Sequence, residues 1–205
     1  SAHPDQPAVA PRPRRPRAAP GRRVLRALLL ALAALLALGL LVFALGLWNA
    51  TRPPEIVRVT LPLPGLRPGT EVRVVLMSDL HAGRPDMPAA RLSSIVAAAN
   101  ALRPDLILLA GDYQGGKLLD QPHTRIEDAL APLQDLRAPL GVIAIPGNHD
   151  GLRWTRWALA RQGGPRFLVN AHVDVGPLVV AGVDSLAHVA DPARALAGIP
   201  SGRPV

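Results

Sequence analysis

Hydrophobic and polar positions follow three different rhythms along this chain. From Ala27 to Trp48 (ALLLALAALLALGLLVFALGLW) no charge interrupts 22 consecutive positions. A helix of that length spans roughly 30 Å, the thickness of a bilayer's hydrocarbon core. The run has no polar face, which argues against a helix packed on a protein core. Trp48 stands where an interfacial aromatic would stand. From Thr51 to Thr70 the rhythm is broken by Pro53, Pro54, Pro62, Pro64 and Pro68. This stretch predicts an extended linker with one short strand, Ile56 to Leu61.

A third rhythm starts at Glu71, where short apolar runs alternate with amphipathic ones. Strands are predicted at Val72–Met77, Asp105–Ala110, Gly141–Ile145 and Pro177–Ala181. Helices are predicted at Pro88–Leu102, Ile126–Leu136 and Leu152–Arg161. The first of these lines up Leu92, Ile95, Val96, Ala99 and Leu102 on one face. Strands alternating with helices imply βαβ units and a largely parallel sheet buried on both faces. The predicted organisation is a tail (1–26), a membrane helix (27–48), a linker (49–70) and an α/β domain (71–205).

Charge sharpens the first part of this picture. The formal net charge is +8. Arg12, Arg14, Arg15, Arg17, Arg22, Arg23 and Arg26 all precede the apolar run, and the rest is close to neutral. A basic flank beside a membrane span explains them better than nucleic-acid binding, and no nucleic-acid partner is expected. The same asymmetry predicts a cytoplasmic N-terminus, a single pass through the cell membrane and an extracytoplasmic domain. An uncleaved signal anchor is favoured over a cleaved signal, because the run exceeds a usual signal-peptide core. Arg22-Arg23 is loosely similar to a twin-arginine signal, though a plain basic flank is the simpler reading. The Pro- and Arg-rich start, Ser1 to Pro20, is expected to be disordered.

The chain has no cysteine. Disulfides, thiolate metal sites and cysteine nucleophiles are therefore excluded. Metal chemistry must use His, Asp, Glu and Asn, and those residues cluster. The first apolar strand runs into Ser78-Asp79-Leu80-His81, the second into Gly111-Asp112-Tyr113, and the third into Pro146-Gly147-Asn148-His149-Asp150. Ligands of open α/β sheets bind beyond the carboxyl ends of the strands. Alternation along an extended strand end would put Asp79 and His81 on one side. Gly111 and Gly147 would let the backbone turn tightly. Mixed carboxylate, imidazole and amide donors suit Mn, Fe, Zn or Co better than Ca or Cu(I). Converging carboxylates repel one another unless cations separate them. Two divalent ions could share a carboxylate and activate a water for in-line attack on phosphorus. Singly, each cluster reads as a turn, a polar loop or a helix cap; jointly, and in this order, they read as a site.

Asp79-Leu80-His81, Gly111-Asp112 and Gly147-Asn148-His149-Asp150 resemble the first three signature blocks of calcineurin-like metallophosphoesterases. The hydrophobic segment, the Pro-rich linker and the Ser-Asp-Leu-His start are similar to the membrane-associated bacterial YkuE/YaeI-like subgroup. The resemblance covers about Glu71 to Asp184. It implies the N-terminal part of a layered αββα sandwich and metal-dependent hydrolysis of phosphoesters, monoester or diester. It implies two divalent ions, with Asp79 and His81 on the first, Asp112 bridging and Asn148 on the second. His149 would help protonate the leaving oxygen, and Asp150 would support the loop with Gly111 and Gly147. Location beside a bilayer points to a lipid-linked or cell-wall phosphoester as substrate.

The family pattern continues with a further metal-binding His and a Gly-His-x-His block. After His149 this chain has only His172 and His188, and neither lies in such a block. His172 reads as a surface-loop residue rather than a substitute ligand. Val179 to Asp184 resembles the strand that precedes the missing histidines. The expectation is an incomplete phosphoesterase domain, short of donors for the second ion and inactive as a fragment. The rival expectation is a catalytically dead phosphoesterase fold that serves as a membrane-bound binding module.

Overall fold

The computed structural model describes residues 20–83, 86–115, 126–151 and 164–205. Of the expected disorder, Ser1 to Pro20, residues 1–19 lie outside them while Pro20 opens a helix, and the predicted helix at 152–161 also lies outside. Contacts divide the chain into one unit up to Asn49 and another from Ala50.

The first unit contains helix α1 (Pro20–Ala50). A proline in the first helical position removes no intrahelical hydrogen bond. Within Gly21–Ala50 an 18-residue window reaches a mean hydropathy of 3.0, and none of that window is buried. The helix is long and apolar enough to cross a membrane.

The second unit is the α/β domain. Its strands are β1 (Val74–Met77), β2 (Leu106–Leu109), β3 (Val142–Ala144) and β4 (Arg166–Phe167), in spatial order β1-β2-β3-β4. Every pairing is parallel, with Leu76 opposite Leu108, Leu108 opposite Ile143 and Ile143 opposite Arg166. α2 (Ala89–Ala101) buries Leu92, Val96 and Ala99, one helical face, as the spacing predicts. α3 (Ile126–Leu130) is shorter than expected and gives way to a 3-10 turn, Ala131–Asp135. Pro132 causes the change: it has no N–H to donate, and its ring crowds the carbonyl of Asp128.

These helices cover one sheet face, where Val75, Met77, Ile107, Leu109 and Ala144 meet Leu92, Val96, Leu130 and Leu133. The other face carries Leu106, Leu108, Ile143 and Ile145. It packs against an antiparallel hairpin, β5 (Ala171–Asp174) with β6 (Val179–Gly182). Val173 and Val180 point toward the parallel sheet, and Gly182 lies so close that a Cβ would sit 2.5 Å from Leu168. His172 points the opposite way, and its Nδ1 meets Ala195 O of α4 (Pro192–Leu196) at 3.0 Å. The layers therefore run α, β, β, α, the sandwich that the resemblance implied.

Three local expectations fail. The sheet is buried on both faces at β2 and β3, but at edge strand β1 Val74 is 42% and Leu76 65% exposed. Nothing described here covers that end of the second face. Ile56 to Leu61 forms no strand and pairs with none among the described residues, and Val57, Val59 and Leu61 are exposed. An isolated β segment without a partner has no ladder to join. His172 belongs to β5 rather than to a surface loop.

Candidate metal centre

The site is an extension of the sheet beyond its carboxyl edge. After β1 and β2 end, their following loops keep exchanging backbone hydrogen bonds. Asp79 N–H donates to Gly111 O (3.2 Å), His81 N–H to Asp112 O (2.8 Å) and Ala82 N–H to Tyr113 O (2.7 Å). Asp79 (φ 55°), His81 (φ 41°) and Asp112 (φ 55°) are all left-handed. Asp79 and His81 thus converge through successive left-handed turns, not through the strand alternation predicted from their spacing. Non-glycine residues in that region cost about 1–3 kcal/mol each and persist only where the surroundings impose them.

What imposes the conformation is a buried carboxylate. Asp150 is 2% exposed. Its Oδ2 accepts the N–H groups of Asp112 (2.7 Å) and Gly147 (2.8 Å), and its Oδ1 those of Tyr113 (2.9 Å) and Gln114 (3.3 Å). One side chain therefore holds the loops after β2 and β3 together. The two glycines allow the contact for different reasons. Gly111 has φ 90°, and a Cβ there would also lie 2.3 Å from Gly147 N. Gly147 has no left-handed φ. It is glycine because a Cβ would fall 2.0 Å from Asp112 Oδ1 and 2.4 Å from Asp112 N.

The result is a convergent donor set. One ligand atom each from Asp79, His81 and Asp112 lies within 4.8 Å of the others. His81 Nε2 is 3.9 Å from Asp79 Oδ1 and 3.8 Å from Asp112 Oδ2. His81 Nδ1 lies 3.0 Å from Gln114 O. That carbonyl can only accept, so Nδ1 donates to it and Nε2 is the ring nitrogen directed toward the carboxylates. A histidine whose other ring nitrogen donates to a backbone carbonyl is the usual arrangement of a metal ligand. Two carboxylates with one imidazole nitrogen suit a borderline divalent ion. The residues present thus fit a divalent cation.

The loop after β3 completes the surroundings. His149 N–H donates to Asp112 Oδ1 (3.0 Å), and the His149 ring stands edge-on to His81 with centroids 5.2 Å apart. Asn148 and His149 are exposed. His188 does not join the group; its Nδ1 pairs with Asp184 Oδ1 at 3.2 Å. His172 is turned toward α4.

Residues 72–190 match the family model for calcineurin-like phosphoesterases. The chain belongs to that family. Phosphoesterases of this family use divalent metals, and Asp79, His81 and Asp112 form a group able to hold one. Among the relatives is a transmembrane protein with metallophosphoesterase domain from Danio rerio, 37% identical over 106 residues, covering 51% of this chain and 23% of the relative. A metallophosphoesterase of Aquifex aeolicus is 32% identical over 135 residues, covering 63% of this chain and 49% of the relative. The UDP-2,3-diacylglucosamine pyrophosphatase LpxG of Chlamydia trachomatis is 33% identical over 113 residues, covering 50% and 31%. The chain spans about a quarter of the length of the transmembrane relatives it matches. No solved structure matches it.

Sequence reasoning missed Tyr113 and the carbonyl of Gln114. Tyr113 is the chain's single tyrosine, placed directly after Gly-Asp, and that position was the available signal. Backbone carbonyls carry no signal of their own in a sequence.

Proposed function

We propose that this protein is a membrane-anchored, two-metal phosphoester hydrolase. The observation that carries the reading is the convergence of Asp79, His81 and Asp112, with His81 Nδ1 committed to Gln114 O. In this reading Asp79, His81 and Asp112, with Asn148, would hold the divalent ions. Bound divalent ions would neutralise phosphoryl oxygens and lower the pKa of an attacking water. Asp150, Gly111 and Gly147 fix the distance between the loops that carry these donors. His149 touches the phosphate and gives a proton to the leaving oxygen. Its main chain is tied to Asp112 Oδ1, so metal-side and leaving-group-side residues move as one body.

The substrate in this reading is a phosphoester attached to a lipid. The apolar helix α1 supports it, as does a relative named for a diacylglucosamine nucleotide. The arginines before α1 support a cytoplasmic N-terminus with the domain outside. Monoester or diester preference and the identity of the ions follow from the same assay.

The test is hydrolysis of bis-p-nitrophenyl phosphate and p-nitrophenyl phosphate by the full-length protein, with Mn, Fe, Zn and Co compared and chelator as control. Metal-dependent turnover, lost in Asp112→Asn, is expected. Stoichiometric metal binding without turnover of either ester would instead favour a binding module on a phosphoesterase fold.

A further inference from the structure

We propose that Tyr113 is a positioning residue for Asp112: its hydroxyl stands in for a missing rung of the sheet between the ends of β2 and β3. The inference rests on the metal reading above, and it concerns a residue that reading leaves unused.

The regular ladder shows what is missing. Between β2 and β3, Ile107 N–H donates to Gly141 O (3.1 Å), and Ile145 N–H donates to Leu109 O (3.0 Å). With Leu109 opposite Ala144, a parallel ladder would continue with Gly111 N–H to Ile145 O, then Gly147 N–H to Gly111 O. Neither bond forms. Gly111 N–H donates to the Tyr113 hydroxyl (3.2 Å), and that hydroxyl lies 2.7 Å from Ile145 O and 2.9 Å from Leu109 O. Gly147 N–H goes to Asp150 Oδ2, and Gly111 O takes Asp79 N–H instead.

A phenol has one proton and two lone pairs. Here it accepts from Gly111 and directs its proton to Ile145 O, the nearer acceptor. Leu109 O already receives Ile145 N–H. Both groups of the broken rung are thus satisfied through the hydroxyl instead of by each other. Tyr113 is 0% exposed, so water cannot take over this role. The break in the ladder falls at Gly111, the residue before Asp112. Without the hydroxyl, Gly111 N–H and Ile145 O are free to bond directly. The sheet would then zip one rung further, and Asp112 would be drawn from its left-handed position opposite His81 and Asp79.

The experiment is Mn2+ titration calorimetry on the purified full-length protein, with the melting temperature measured in chelator. Tyr113→Phe keeps the ring and removes the rung. Its Mn2+ affinity should fall about tenfold or more, the usual range for residues that orient ligands. 4-Aminophenylalanine at position 113 retains donors and a lone pair at the ring tip, and should restore most of the loss. If Tyr113→Phe lowers the melting temperature but binds Mn2+ as the wild type does, the hydroxyl is only structural and the inference fails. Should Tyr113→Phe not fold, the 4-amino variant decides: affinity near wild type supports the rung, and a tenfold loss overturns it. A wild type that binds no Mn2+ would sink the metal reading and this inference with it. Wild-type binding that Tyr113→Phe leaves unchanged sinks the inference alone.

Discussion

Two buried polar knots cross-link loops in this domain, and they end in opposite ways. At the first, Asp150 gathers backbone N–H groups from the loops after β2 and β3. At the second, Asn170 Oδ1 accepts the N–H groups of Asp184 and Asp191, each at 3.0 Å, while its Nδ2 donates to Val189 O. Both contain a non-glycine residue with left-handed φ, Asp112 at 55° and Asn170 at 49°. Both contain buried acids, and both have a histidine nearby. Yet the second knot consumes its own chemistry: Asp184 Oδ1 takes Ser185 N–H (2.7 Å) and meets His188 Nδ1. The first spends one carboxylate on the backbone so that Asp79, His81 and Asp112 can face one another. Buried polar residues therefore do not by themselves make a site. A site needs one group satisfied inward for the others to remain directed outward.

Substitutions at the two knots should separate these roles. The largest effect is expected at Asp112. Asp112→Ala should abolish tight Mn2+ binding and lower turnover by about 10⁴-fold, about 5.5 kcal/mol of transition-state stabilisation. Metal titration and steady-state kinetics would check it, and retained affinity would erase the difference between the knots. His149→Gln should lower kcat by about 10³-fold, a loss typical of a general acid, with metal content unchanged. Equal loss of metal and turnover would move His149 from the proton role to the ligand set. Asn170→Ala should cost about 3 kcal/mol of stability by stranding two N–H groups and a carbonyl. Denaturant unfolding measures that loss, and Mn2+ affinity should not change. If affinity falls too, the knots are coupled and the contrast is wrong.

The smallest effect is expected away from both knots, at Asp174. Gly176 N–H donates to its Oδ1 (2.8 Å) and Arg203 pairs with its carboxylate (2.7 Å). These lower its pKa below the ordinary carboxylate value. A depressed folded-state pKa contributes stability that is present above the unfolded value and lost as pH falls through the folded one. Asp174→Asn should flatten the acid limb of the stability–pH curve slightly, and less so in high salt, because the group is exposed. A large change would mean that the hairpin turn matters more than its exposure indicates.

Much of the architecture follows from local pattern. The apolar run 27–48 lies inside α1, and the helix at 89–101 and strands β1, β2, β3 and β6 sit within a few residues of their predicted places, whereas β4 and β5 were not predicted. Gly-Asp and Gly-Asn-His-Asp after apolar runs marked the right edge of the sheet. Two of the failures share one cause. Ile56–Leu61 has strand composition, but strand formation depends on a neighbour that the segment cannot specify. The face of β1 bearing Leu76 reads as buried, yet burial depends on what packs there. The short α3 has a separate, local cause in Pro132.

What the sequence determined by itself is which residue types end each strand, because an apolar run followed by Gly, Asp, His and Asn is a covalent fact. What only the tertiary structure decided is how those residues point. Asp79 and His81 meet through left-handed turns that Gly111 and Asp112 enforce from the adjacent strand. Gly147 is glycine because of a backbone 35 positions earlier, at Asp112. Asp150 and Tyr113 replace ladder bonds between strands that are distant along the chain. Each of these is a contact between separate segments, and their conformational cost is met only when the sheet brings the segments together.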